Sequence, residues 1–262
     1  MCIICSGEYH GKKEIDCCGC SDLTTIPIIP GLKYLYCLYC PNLQEIPIIP
    51  DLEKLECSNC ENLKKILPMP KLKLLRCYYC PNLKEIPTIS GLKELDCSGT
   101  NVTQIPIIDG LSTLYCYKCP NLVEIPGIPD LNYLTCFNCS KLTKIPVIPG
   151  LQTLDCSCCT NLTEIPAIPG LKMLDCTNCR NLIEIPNIHH IYCLGCPWIK
   201  QFPKFEENIQ KLVLLQKYVK KYHKIKVCKR WIQSDAFREW YYHPEGPGGV
   251  KAVLRLIKKT KN

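Results

Sequence analysis

A chain of 262 residues, 47% of them hydrophobic, is long enough to bury a substantial core, and its formal net charge is +8. Its 24 cysteines and 22 prolines are far from average composition, yet disulfide scaffolds with such cysteine wealth are mostly much shorter secreted chains. No apolar run approaches the roughly 20 residues of a membrane span, and the start, MCIICSGEYHGKK, lacks a basic leader followed by a long apolar stretch, so the expected setting is a reducing, cytoplasmic compartment.

Residues 1–11 precede any repeat and are expected to form an N-terminal cap. Ten repeats then fill residues 12–203. Written from Leu32, the pattern is L-x-x-L-x-C-x-x-C-x-N-L-x-x-I-P-x-I-P-x, and it returns every 20 residues. The first column runs Lys12, Leu32, Leu52, Leu72, Leu92, Leu111, Leu131, Leu151, Leu171 and Ile188, with one 19-residue step after Leu92 and one 17-residue step at the end. The second runs from Ile15 through Leu35, Leu55, Leu75, Leu95, Leu114, Leu134, Leu154 and Leu174 to Ile191. Fixed self-similarity at this period means a solenoid, whose units bury their apolar faces only by stacking on one another.

The L-x-x-L-x-C-x-x-C core resembles the leucine-rich repeat, L-x-x-L-x-L-x-x-(N/C)-x-L. The I-P-x-I-P tail resembles the short repeats of bacterial effectors and plant disease-resistance receptors. With its cysteines and basic tail, the whole resembles the leucine-rich repeat proteins of giant DNA viruses (Mimivirus-like). The resemblance implies a horseshoe of parallel β-strands on the concave face, a protein-binding scaffold, and for a viral protein a place in the host cytoplasm or the virion.

Within that frame, Cys17, Cys37, Cys57, Cys77, Cys97, Cys116, Cys136, Cys156, Cys176 and Cys193 occupy the family's third inward leucine column. Cys20, Cys40, Cys60, Cys80, Cys119, Cys139, Cys159, Cys179 and Cys196 occupy its asparagine-or-cysteine column. Thiols behave as small hydrophobes with a weak donor. The first column is therefore expected to fill core, and the second to donate to the turn backbone. The 19-residue unit carries Thr100 in the second column, so cysteine accompanies the longer turn, as a turn geometry requires. Stacked pairs such as Cys37/Cys40 and Cys57/Cys60 would also suit zinc or inter-repeat disulfides. The expectation is reduced, buried, metal-free thiols, with Cys2, Cys5, Cys18, Cys158 and Cys228 outside the columns and more reactive.

Recurring prolines, such as Pro47 and Pro50 or Pro126 and Pro129, fix φ and lack an N–H, so the returning limb is expected to be extended and polyproline-like. Strand alternation turns the residues beside the leucines onto the concave face. That face is expected to carry Tyr34, Tyr36, Tyr39, Tyr78, Tyr79, Tyr115, Tyr117, Tyr133, Phe137 and Tyr192, interleaved with Glu14, Asp16, Glu56, Asp96, Asp155 and Asp175. Tyrosine is enriched at protein interfaces, so the cluster points to an unknown protein partner, although aromatic residues also suit strands for their own sake.

Residues 204–262 are expected to form a basic, short-helical C-terminal cap or tail. From residue 200 onward the net charge is +11, which leaves −3 for residues 1–199. Apolar stripes at Ile209, Leu212, Val213 and again at Val250, Val253, Leu254, Ile257 suit helices covering the last repeat. Lys220, Lys221, Lys224, Lys226, Lys229, Arg230, Lys258 and Lys259 would alternatively grip nucleic acid or another polyanion. That is the competing reading: a virion- or nucleic-acid-associated structural protein. FREWYYHPEGPGG resembles a tail motif of giant-virus proteins. There is no P-loop, G-x-S-x-G or H-E-x-x-H, and no cofactor is implied, so the expected role is not enzymatic.

Overall fold

The computed structural model describes residues 2–196 apart from Glu184, Asn187 and His189; the expected tail, with its basic residues from Lys220 to Lys259, and the end of the last repeat lie outside the described residues. In chain order the strands are β1 (Glu14–Asp16), β2 (Tyr34–Tyr36), β3 (Glu45–Ile46), β4 (Lys54–Glu56), β5 (Lys65–Ile66), β6 (Leu74–Arg76), β7 (Glu94–Asp96), β8 (Thr113–Tyr115), β9 (Tyr133–Thr135), β10 (Thr153–Asp155), β11 (Met173–Asp175) and β12 (His190–Tyr192). Ten of them form one parallel sheet in the order β1-β2-β4-β6-β7-β8-β9-β10-β11-β12. The described residues form a parallel-strand solenoid.

Register follows the second leucine column throughout. Ile15 lies on Leu35, Leu35 on Leu55, and so on to Leu174 on Ile191. The short steps do not disturb it, because Leu95 still pairs with Leu114 and Leu174 with Ile191. A one-residue slip would turn every leucine to solvent, so the residue missing from the 19-residue coil is absorbed outside the strands. A regular coil supplies seven inward apolar positions. In the coil starting at Leu52, Leu52, Leu55, Cys57, Cys60, Leu63 and Met69 are 0% exposed and Ile66 is 3%. Burying each such aliphatic side chain contributes about 1.5–3 kcal/mol.

The returning limb is extended, and no helix occurs among the described residues. No described helix is therefore long and apolar enough to cross a membrane. Proline suppresses sheet formation here by removing N–H donors. The exception supports the rule: the coil reading Ile66-Leu67-Pro68 has a leucine where its neighbours have proline, and the Leu67 N–H donates to the Ile46 carbonyl at 2.9 Å. That bond sits beside the two-stranded β3-β5 pairing.

Both cysteine columns are buried. Backbone bonds between coils step from the Tyr36 carbonyl to the Leu38 carbonyl, passing over that of Cys37. The Cys60 thiol donates to this inward carbonyl at 3.0 Å. The same bond recurs from Cys40 to Cys17, Cys80 to Cys57, Cys139 to Cys116, Cys159 to Cys136 and Cys179 to Cys156. Second-column thiols thus satisfy a buried acceptor of the preceding coil, which is costly to leave unpaired. In the short coil the Thr100 hydroxyl bonds its own coil's Cys97 carbonyl at 2.6 Å, and Cys119 reaches the same oxygen at 3.3 Å. Burial pushes the first-column thiols of Cys37, Cys57, Cys77 and Cys116 well above the ordinary range, which keeps them protonated.

Candidate interaction face

Each strand of the ten-stranded sheet ends in a turn, Cys-x-x-Cys or, after β7, Cys97-Ser98-Gly99-Thr100, whose third residue adopts a left-handed conformation. It is glycine at Gly19, Gly99 and Gly195, and asparagine at Asn59, Asn138 and Asn178. Four coils place other residues there: Tyr39 (φ 55°), Tyr79 (φ 54°), Lys118 (φ 54°) and Cys158 (φ 58°). The left-handed turn keeps the ladder going, since the N–H groups of Tyr39 and Tyr79 donate to the Ser58 and Ser98 carbonyls at 3.0 and 2.7 Å. Left-handed backbone costs a residue with a Cβ about 1–2 kcal/mol, least for asparagine.

This geometry divides the expected binding residues into two groups. Tyr34, Tyr36, Tyr115, Tyr133, Asp96, Asp155 and Asp175 flank the inward leucines in strands and are half-buried. Tyr39, Tyr78, Tyr79, Tyr117 and Phe137 follow the strands and lie in the turns, where the left-handed residue ends strand alternation. There they form a row of their own. Tyr117 stacks on Phe137 with centroids 4.6 Å apart and 4° between planes, and Tyr78 meets Tyr79 edge-on at 5.9 Å. The Tyr79 ring lies against Gly99 of the next coil, where a Cβ would not fit. Lys118 approaches from beyond, its Nζ 3.4 Å from the Tyr79 hydroxyl. Tyr39 is 61% exposed and Tyr79 39%.

The three expected aspartates are turn-builders. Asp96, Asp155 and Asp175 each accept a hydrogen bond from the N–H two residues on, at Ser98, Ser157 and Thr177, at 2.9–3.0 Å. Burial raises the Asp96 carboxyl above the usual carboxylate range, against the pull of Ser98 and of Arg76. An acid that folding makes harder to ionise costs stability as pH rises from the ordinary carboxylate pKa through the raised one. Asp96→Asn keeps the acceptor and removes the charge. It should therefore raise the melting temperature at neutral pH, with the gain vanishing in acid, as parallel melts from pH 3 to 8 would show (about one unit below the ordinary carboxylate pKa at the low end).

Sequence reasoning overlooked Arg76. It donates to Glu94 at 2.8 and 3.1 Å and to Glu56 at 3.2 Å, and Lys54 pairs Glu56 at 2.9 Å while its Nζ lies 5.0 Å from the Tyr36 ring centre. Arg76 is the one arginine in a strand column otherwise filled by aspartate, glutamate, threonine and tyrosine, which was the available signal. In the last coil Cys193 is 1% exposed, and burial pushes its thiol up to about 12, which keeps it protonated.

No family model matches the chain, and no curated protein matches it. A solved structure, that of a leucine-rich repeat protein from Bacteroides ovatus, is similar with a TM-score of 0.46 and 20% identity over 70% of this chain. The chain spans 63% of the length of that protein.

Proposed function

We propose that the chain is a non-catalytic leucine-rich repeat scaffold that binds a protein partner through its tyrosine-bearing strand face and the turn row beside it. The observation that carries this is the exposed Tyr39 in left-handed backbone. A tyrosine there neither fills core nor suits the turn, and three other coils meet the same need with asparagine and three with glycine. Strain held at an exposed aromatic is what a contact surface produces and what packing does not. The adjoining Tyr36, Lys54, Glu56, Arg76 and Glu94 place mixed charge beside the aromatic surface, suited to a partner with both apolar and charged anchors.

Tyr39→Asn tests this directly. Stability should hold or rise by about 0.5–1 kcal/mol, because asparagine accepts left-handed backbone more readily. Affinity for the partner, once identified by crosslinking from its native setting, should fall. A loss of stability with unchanged affinity would show that Tyr39 is there for the fold.

A further inference from the structure

Stacking accounts for the two cysteine columns but not for Cys2 and Cys5, which lie ahead of the first coil. They form a Cys-x-x-Cys pair, and twelve residues on from Cys5 the chain has a second such pair, Cys17 and Cys20. The fold closes the interval. The Cys2 and Cys5 sulfurs are 3.6 Å apart, Cys5 and Cys20 are 3.7 Å apart, and all three sulfurs lie within 4.8 Å of one another. Cys20 explains why. In later coils the second-column thiol donates to a carbonyl of the coil before it. Cys20 belongs to the first coil, so its thiol turns instead to the segment carrying Cys2 and Cys5.

We propose that Cys2, Cys5 and Cys20 hold one soft divalent cation of the zinc class, with Cys17 the residue best placed in sequence to complete a four-sulfur site. Four thiolates around zinc at about 2.3 Å set sulfur–sulfur edges at about 3.8 Å. The two measured separations are close to that edge and far from the ~2.05 Å of a disulfide. Soft sulfur donors without oxygen partners select zinc over magnesium or calcium. The Cys17 thiol currently donates to the Tyr36 carbonyl at 3.4 Å, a weak bond that metal binding would replace. Zinc here would pin residues 2–11, whose Ile4 is buried, onto the open first coil, the end of a solenoid that needs covering. The later Cys-x-x-Cys pairs lack this arrangement, since their second thiols are each engaged by a backbone carbonyl.

The test uses the full-length chain, purified reduced and loaded with zinc. One zinc per chain should survive desalting, and Cys5→Ser should lose most of it while Cys158→Ser keeps it. Because Cys5→Ser alters the terminal segment, native alkylation supplies an independent readout. With zinc, Cys2 and Cys5 should resist iodoacetamide; after a strong chelator they should label at least tenfold faster, while exposed Cys18 labels alike in both states. A full zinc equivalent retained by Cys5→Ser, or labelling of Cys2 and Cys5 that ignores zinc, overturns the proposal. Neither readout involves the strand face, so the result is independent of partner binding.

Discussion

Cys97→Asp should abolish cooperative folding, whereas Cys97→Val should melt within a few degrees of the parent. Cys97 is fully buried in the first thiol column, at the short coil, with its sulfur 3.6 Å from the Tyr115 carbonyl. The aspartate would meet that carbonyl and the Cys119 thiol, so it must desolvate a charge or bury a protonated acid. Either costs on the order of 4 kcal/mol or more, in a fold whose whole margin is about 5–15 kcal/mol. Valine is close in volume and loses only a weak S–H bond, which keeps its cost under about 1.5 kcal/mol. In a solenoid each coil is stabilised by its neighbours, so a central break also separates the two halves of the stack. Chemical denaturation followed by circular dichroism reads both variants. Equal tolerance of aspartate and valine would mean that the column is not the core it is taken to be.

The leucine columns were legible because a period of 20 residues admits only one register once every inward position must be apolar. The role of the second cysteine was legible as a donor to the backbone, but not that its acceptor lies one coil back, since a sequence does not show which carbonyl is passed over by the ladder. The left-handed turn left a trace that was not read. Glycine or asparagine precedes the second cysteine column in six coils, at Gly19, Asn59, Gly99, Asn138, Asn178 and Gly195. Tyr39 and Tyr79 hid it, because a tyrosine near a strand reads as a strand residue. The asparagine of C-x-N-L is likewise structural: the Asn42, Asn62 and Asn82 amides donate to carbonyls of the preceding coil at 2.7–2.9 Å. The N-terminal thiol cluster is concealed in the sequence because Cys20 fits a repeat column, and only the fold shows that its sulfur lies 3.7 Å from that of Cys5.

Replacing Tyr36, Tyr78 and Tyr115 together by serine should leave a folded solenoid that no longer captures its partner. Their side chains flank inward residues without joining the core: each is half-buried, while Leu35, Cys77 and Leu114 beside them are fully buried. The losses to folding are the Tyr36 contact with Lys54, the edge contact of Tyr78 with Tyr79, and the Tyr115–Tyr133 contact at 5.4 Å. Aromatic pairs contribute about 0.5–1.5 kcal/mol each, so the melt should shift but stay cooperative. Interface tyrosines behave differently, since anchoring residues cost about 2 kcal/mol or more apiece when truncated. Three such anchors, even with partial additivity, would weaken binding by about a thousandfold. The contrast decides between two origins for the tyrosines. If they are there because aromatic residues suit strands, stability should collapse and any residual folded protein should bind as before. If they are there for contact, circular dichroism should change little while calorimetric titration with the partner falls to baseline.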